Sequence, residues 1–514
     1  MNKTMSKAMS EPMSEPIKVI GHFINGNLVA DSNNPHRSDI TNPATAAVIQ
    51  SAAMASDETL ETAIDAAQHA FPAWRDTPPS KRARVLFRYK QLLEEHAEAI
   101  VALITQEHGK VLSDAMGELQ RGIEIVEYAC GAPELLKGEY AKNVAPGMDC
   151  WSEFQPLGVV VGITPFNFPA MVPLWMFPMA IACGNTFILK PSEKTPSAAL
   201  LLADLFSQAG LPDGVFNVVN GDKSAVNYLL QHPVIEAVSF VGSTPVAESI
   251  YQTASAQGKR VQALGGAKNH AVILPDADIE NAAKALMGAA YGSCGERCMA
   301  ISVAVCVGDE TADALANFLT DAIAQLNIGV GTDAASEMGP LITQSHYDNV
   351  RATVDSGVTE GASLVIDGRD LIVEGHEQGF FLGPCLFDHV TAAMRIYQEE
   401  IFGPVLCIVR VNSLAAAMQL IDAHQYGNGT CLFTRDGEAA RYFTDNIRVG
   451  MVGVNVPLPV PAACHSFGGW KRSLFGDLYA YGPDSIRFYT RRKTITQRWP
   501  SGSVREEVQL AFPS

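Results

Sequence analysis

The chain has 514 residues, 47% of them hydrophobic, and a formal net charge of −18. Its length supports large cores in two or three domains. The acidic balance excludes nucleic acid or an anionic membrane surface as the main partner, although converging arginines can still bind an anion locally.

Residues 1–17 carry the repeat MSEPMSEP, whose Pro, Ser, Glu and Met read as a disordered tail. It has no apolar stretch of the secretory kind, and its glutamates without arginine argue against a mitochondrial leader. Residues 20–30 alternate and turn at Asn25-Gly26, which predicts a β-hairpin. Ser56-Asp57 caps a helix to about Trp74. One long helical pattern covers 80–108, and another runs from Leu112 to about Cys130.

From Leu157 the texture changes. Strands are expected at 158–164, 186–190, 215–220 and 237–242, with helices near 170–183, 196–209, 223–231 and 245–257. Continuous apolar strands alternating with helices mean a parallel sheet covered on both faces, an architecture of the dinucleotide-binding kind. Phe154 to Leu189 has no charged residue, yet its glycines and prolines break it too often for a membrane span. A buried strand–loop–helix unit is the expectation.

A second α/β series follows. Its strands are expected near 270–275, 301–307, 363–366, 405–411, 430–434 and 451–456, separated by helices near 278–290, 311–326, 345–357, 413–424 and 437–446. The segment 486–499 alternates like a strand after both domains look complete. It is therefore expected to pair with another subunit. This divides the chain into 18–136 with 158–265 as the cofactor domain and 266–472 as the catalytic domain. Residues 137–157 and 473–514 are left for oligomerisation, as a dimer or a tetramer.

The stretch YGSCGERCMA (291–300) places Cys298 directly after an arginine. A thiolate is a strong nucleophile, and Arg297 is a candidate source of the positive charge that favours it. Taken alone, the cysteine could also be an inert core residue. Ten cysteines, mostly inside apolar runs, are too sparse for a disulfide framework and fit a reducing cytoplasm. Cys294 and Cys298 lack a second Cys/His pair at zinc spacing, so no metal is expected.

No G-x-G-x-x-G occurs. Instead FVGSTPVAESI (240–250) passes from strand through Gly242 and Ser243 into a helix, whose N-terminus favours phosphate. Lys190 and Glu193 emerge at a strand's C-terminal end, where ligands bind in such sheets. A glutamate there accepts from a ribose hydroxyl and repels a 2′-phosphate, which favours NAD over NADP. A solvated loop with ordinary surface charges would read the same way.

Together, ITPFNFP (163–169), ILKPSEKTP (188–196), FVGST (240–244), GERC (295–298) and EEIFGPV (399–405) resemble the aldehyde dehydrogenase superfamily in order and spacing, over most of the chain. QRGIEIVEYACGAP (120–133), VQALGGAKNHAVILPDAD (261–278), NVPLPVPAACHSFGGWKRSLFGD (455–477) and FYTRRKTIT (488–496) resemble its methylmalonate-semialdehyde dehydrogenase branch, which is CoA-dependent. The resemblance implies a Rossmann-type NAD-binding domain, an α/β catalytic domain and a β oligomerisation arm. It implies that Cys298 attacks the aldehyde, that the Asn167 amide and a backbone N–H at Cys298 hold the oxyanion, and that hydride passes to NAD. Lys190 and Glu193 would then hold the adenosine ribose and Glu400 the nicotinamide ribose, with Thr164, Phe166, Lys194, Ser243 and Gly265 lining the groove. For a carboxylated semialdehyde it implies a clamp of Arg121 and Arg297, although Arg121 could equally pair with Glu118 or Glu124 on its helix. The products implied are propionyl-CoA from methylmalonate semialdehyde and acetyl-CoA from malonate semialdehyde, with loss of CO2.

Two departures matter. Hydrolytic members of the superfamily have a glutamate opening Glu-Leu-Gly-Gly, the base for deacylating water. Here the stretch reads Gln262-Ala263-Leu264-Gly265-Gly266, and the glutamate position falls on Ala263 or Leu264. Neither takes a proton, so water attack should be slow and a thiol such as coenzyme A should accept the acyl group. Glu296 also stands where a glutamine is frequent.

Overall fold

The computed structural model describes residues 17–30 and 35–499. The expected tail lies outside these residues except for Ile17, as does 500–514. Asn25 and Gly26 take positive φ (51° and 74°) and turn strand His22–Ile24 into Asn27–Val29. The Ser56 hydroxyl accepts from the Thr59 N–H and starts helix Asp57–Arg75. The expected helix over 80–108 is two helices, Pro79–Glu95 and Ala97–His108, broken at His96. The His96 ring lies 2.9 Å from the Leu92 carbonyl, which also accepts the His96 N–H at 3.0 Å. Helix Leu112–Cys130 follows.

The four strands expected after Leu157 form the centre of an eight-stranded sheet. Val159–Ile163 lies in the middle, with Thr186–Lys190 and Phe216–Val218 on one side and Ile235–Val241 on the other, all parallel. Arg260–Leu264 extends it in parallel, a strand that its motif-like sequence concealed. Leu474–Phe475 closes that edge antiparallel, so this part of the expected oligomerisation segment belongs to the first sheet. Strand order reverses between Val159–Ile163 and Ile235–Val241, and their C-terminal ends open a crevice of the ligand-binding type. Helix Met171–Ala182 packs beneath the sheet with all twelve residues buried, which accounts for the charge-free run. Among the described residues no helix is long and apolar enough to cross a membrane.

The second sheet has seven strands, parallel except at the Ser363–Ile366 edge, around its own apolar core. It includes Cys385–Asp388, which a Gly-Pro before it and four residues of length hid from pattern reading. The segment 486–499 departs from expectation twice. Gly482-Pro483 starts a short helix, Pro483–Tyr489, and only Thr490–Arg498 is a strand. That strand pairs with Met148–Pro156 of the same chain, which pairs in turn with Tyr140–Ala145. The arm is thus a three-stranded sheet assembled in cis.

Candidate functional site

The loop after strand Val159–Ile163 carries Phe166 and Asn167, and a buried ion pair fixes it. Lys110 Nζ donates to the Glu118 carboxylate at 2.8 Å and to the Asn167 carbonyl at 2.6 Å. The other Glu118 oxygen accepts the N–H groups of Ala170 and Met171, at the start of helix Met171–Ala182. Both charged side chains have no solvent exposure. Burial raises the Glu118 carboxyl above its usual range, while Lys110 and the two N–H groups pull it back. We read it as ionised, because each oxygen faces a cation or N–H donors. One Asn167 amide hydrogen goes to the Glu296 carbonyl at 2.9 Å, leaving the other available.

Cys298 sits in a loop with stored strain. After helix Ile279–Tyr291, Ser293 and Cys294 take positive φ (54° and 52°). Gly295 follows at 73°, where a side chain would collide with the Gly403 carbonyl. The Cys298 carbonyl is held by the side-chain amides of Asn269 (2.9 Å) and Asn428 (3.0 Å). Burial pushes the Cys298 thiol up to about 12, and Glu400 adds to the rise. The backbone N–H groups of Cys298 and Met299 oppose it, and Arg297 opposes it least. Arg297 does lower the thiol, as expected of a neighbouring charge, but least of the opposing groups; its guanidinium is paired with Asp114 and the Gly288 carbonyl. Burial pushes Asp114 up, but Arg297 and Lys110 outweigh it and hold the carboxyl below the usual range.

Asn167 and Cys298 line one cavity of 460 Å³ together with Phe166, Lys194, Ser243, Gly265 and Glu400. Glu193 and Lys194 line an adjoining cavity of 330 Å³. Lys190 is buried with Nζ 3.4 Å from Glu193. Thr164 lies outside the cavity wall; its N–H donates to the Lys190 carbonyl. The groove fits a dinucleotide. No side chain caps helix Thr244–Ala256, so its first N–H groups can meet an anion. Side chains at Gly265 or Gly266 would fill the groove floor against Arg472 or Glu400. Burial raises the Glu400 carboxyl to about 7, and the Ala267 N–H and Lys268 oppose the rise.

Ala263 and Leu264 point to opposite faces of their strand. Leu264 joins the apolar cluster against which Cys298 packs, while Ala263 joins the cluster on the other face. The strand therefore offers no carboxylate at either position, and neither side chain lines the cavity. Gln262 is committed elsewhere, to Ser239 and the carbonyls of Leu478 and Tyr479.

Neither arginine of the expected clamp lines the cavity. Arg121 pairs with Glu124 and donates to the carbonyls of Val460 and Pro461. Among the described residues no group of three or more His, Cys, Asp or Glu is placed to hold a metal ion, and all ten cysteines are free. Sequence reasoning missed Lys110, Glu118, Asn269 and Asn428. Glu118 alone left a signal, as an acid in the buried stripe of Ala115, Leu119 and Gly122.

The aldehyde dehydrogenase family profile matches residues 29–495. The chain is 67% identical to a malonate-semialdehyde dehydrogenase of Pseudomonas aeruginosa over 96% of this chain and 99% of that one. It superposes with a TM-score of 0.94 on the crystal structure of a methylmalonate-semialdehyde dehydrogenase from Oceanimonas doudoroffii, at 65% identity, covering 95% of this chain and 100% of the other. A Sinorhizobium meliloti 1021 protein solved in complex with NAD also superposes at 0.94, with 53% identity over 95% of this chain and 100% of that one.

Replacing Lys110 by Met leaves Glu118 buried without its cation. The expected cost is about 3–5 kcal/mol of stability, read by denaturant unfolding. Asn167→Ala should lower kcat by about 10²–10³-fold with little change in unfolding.

Proposed function

The chain belongs to the aldehyde dehydrogenase family, and from that premise we propose that it oxidises malonate and methylmalonate semialdehydes to acyl-CoA in an NAD-dependent, CoA-acylating reaction. The supporting observation is that Ala263 and Leu264, the positions where a hydrolytic enzyme needs a base, are both hydrocarbons.

Cys298 Sγ loses its proton and bonds to the aldehyde carbon. The oxyanion formed accepts from the free Asn167 amide hydrogen and the Cys298 N–H. NAD supplies the hydride acceptor when bound. The groove residues named above, with Lys190 and Glu193 at its ribose end, are those that would hold it. The acyl unit then stays on Cys298 as a thioester. A β-carboxylate leaves as CO2 because the thioester carbonyl accepts the electron pair, which a proton then quenches. With no carboxylate at Ala263 or Leu264 to activate water, the thiol of CoA takes the acyl group and Cys298 departs as thiolate. A general base is worth about 10²–10⁴-fold, and hydrolysis lacks that factor here.

Arg121 is the better candidate for the substrate carboxylate. Its pair with Glu124 is half exposed, and such pairs contribute only about 0–1 kcal/mol. The pair of Arg297 with Asp114 is more enclosed, at 18% exposure on each side, and harder to exchange. The outer edges of the three-stranded arm carry no partner strand among the described residues, which supports a homo-oligomer. Ten free thiols fit a cytoplasmic setting.

A hydrolytic alternative has one observation in its favour. Glu400 lines the same cavity, and its carboxyl titrates near neutrality.

Product analysis with each semialdehyde, with and without CoA, separates the two readings. The proposed reaction yields acyl-CoA and turns over slowly without CoA. Rapid release of free acid, abolished in Glu400→Gln, would establish the alternative. Arg121→Leu should raise KM for the semialdehydes by about tenfold or more while sparing propanal, as expected for a lost carboxylate partner. Equal effects on both substrates would refute the clamp.

A further inference from the structure

Behind the nucleophile lies a polar cluster that the reaction above leaves unused. Glu296 is fully buried. One carboxyl oxygen accepts the Ile342 N–H at 3.2 Å and lies 3.6 Å from His346 Nε2. The other has no hydrogen-bond partner and lies 3.6 Å from His108 Nε2, beyond hydrogen-bonding reach. Neither ring nitrogen of His108 has a partner either. His346 and Ile342 line the cofactor cavity, and His346 Nε2 meets the Phe402 carbonyl at 2.7 Å.

Glu296 therefore touches both sides of the site. Its carbonyl accepts the Asn167 amide, two residues before the nucleophile. Its carboxyl is bonded to the opposite wall of the cofactor groove. We propose that Glu296 is a positioning residue that acts as a neutral acid, tying the Cys298 loop to the Ile342 wall, and that its ionisation loosens the Asn167 loop by competing for Lys110. This rests on Cys298 being the nucleophile of aldehyde oxidation.

The surroundings support the neutral form. Burial raises the Glu296 carboxyl to about 8; the Ile342 N–H, Lys110 and Lys194 oppose the rise. His108 is held neutral by burial and by the charges of Lys110 and Arg297. Burial keeps His346 neutral too, against the pull of the Phe402 carbonyl. Cys294, whose thiol burial pushes well up, brings no positive charge. Asp114 beyond it is paired with Arg297. When Glu296 ionises, the strongest cation within its reach is Lys110, the same ammonium that holds the Asn167 carbonyl and Glu118. Drawing Lys110 away slackens the oxyanion loop.

The sign follows from linkage. A carboxyl whose folded value lies above its unfolded one favours folding at low pH and loses that contribution as pH rises through the folded value. Glutamine cannot ionise yet keeps an oxygen for the Ile342 N–H.

The test is the rate of the first NADH turnover without CoA, which is independent of the acyl acceptor, for wild type and Glu296→Gln from about pH 6 to pH 9.5. In the wild type the rate should fall above about pH 8. One unit above that midpoint the variant's rate, relative to its own value near pH 7, should exceed the wild type's by about tenfold. The melting temperature of the variant should also rise relative to wild type as pH increases from about 5 to 9. Parallel pH–rate profiles in the two proteins overturn the proposal, as does a melting difference independent of pH. If the wild type gives no NADH burst at all, the failure lies with Cys298 chemistry and not with Glu296.

Discussion

A lysine and a glutamate without solvent contact hold the catalytic wall in place. Lys110 comes from the link between two helices, and Glu118 from the buried stripe of the next. Their pair reaches the Asn167 carbonyl on one side and the first N–H groups of helix Met171–Ala182 on the other. Removing one partner would strand a charge in an apolar core. The geometry around Asn167 is therefore costly to deform. That stiffness keeps the second Asn167 amide hydrogen aimed, as the oxyanion donor proposed for it must be.

Cys298 is fixed by other means. Two asparagine amides grip its carbonyl, and the loop before it makes a left-handed turn at Ser293 and Cys294. Burial keeps the thiol protonated, and Arg297, beside it in sequence but paired with Asp114, lowers it least. The strand ending at Leu264 offers no carboxylate to activate water.

Most of the architecture was legible in the sequence because it rests on local signals. Apolar runs between amphipathic stretches marked the parallel strands. Asn25-Gly26 marked the hairpin, and Ser56 marked a helix start. Where the signal was not local, reading failed. Nothing in the pattern breaks the helix at His96, and Cys385–Asp388 is too short to show a period. The strand at Thr490–Arg498 was recognisable as a strand, but its partner 340 residues earlier was not. The site divides in the same way. Cys298, Asn167 and Glu400 sit in sequence motifs and converge on one cavity. Lys110, Asn269 and Asn428 act through contacts that only the fold creates. Arg297 was legible beside the thiol, but only the fold shows its pairing with Asp114 and the burial that outweighs it.

Intact-protein mass after mixing enzyme with NAD and excess semialdehyde, CoA withheld, tests the lack of a carboxylate at Ala263 and Leu264 most directly. A stable acyl adduct that maps to Cys298 and disappears on adding CoA is the expected result. Unmodified protein alongside many NADH per site would contradict it, for then water finds a base, and Glu400 in the same cavity is the first candidate.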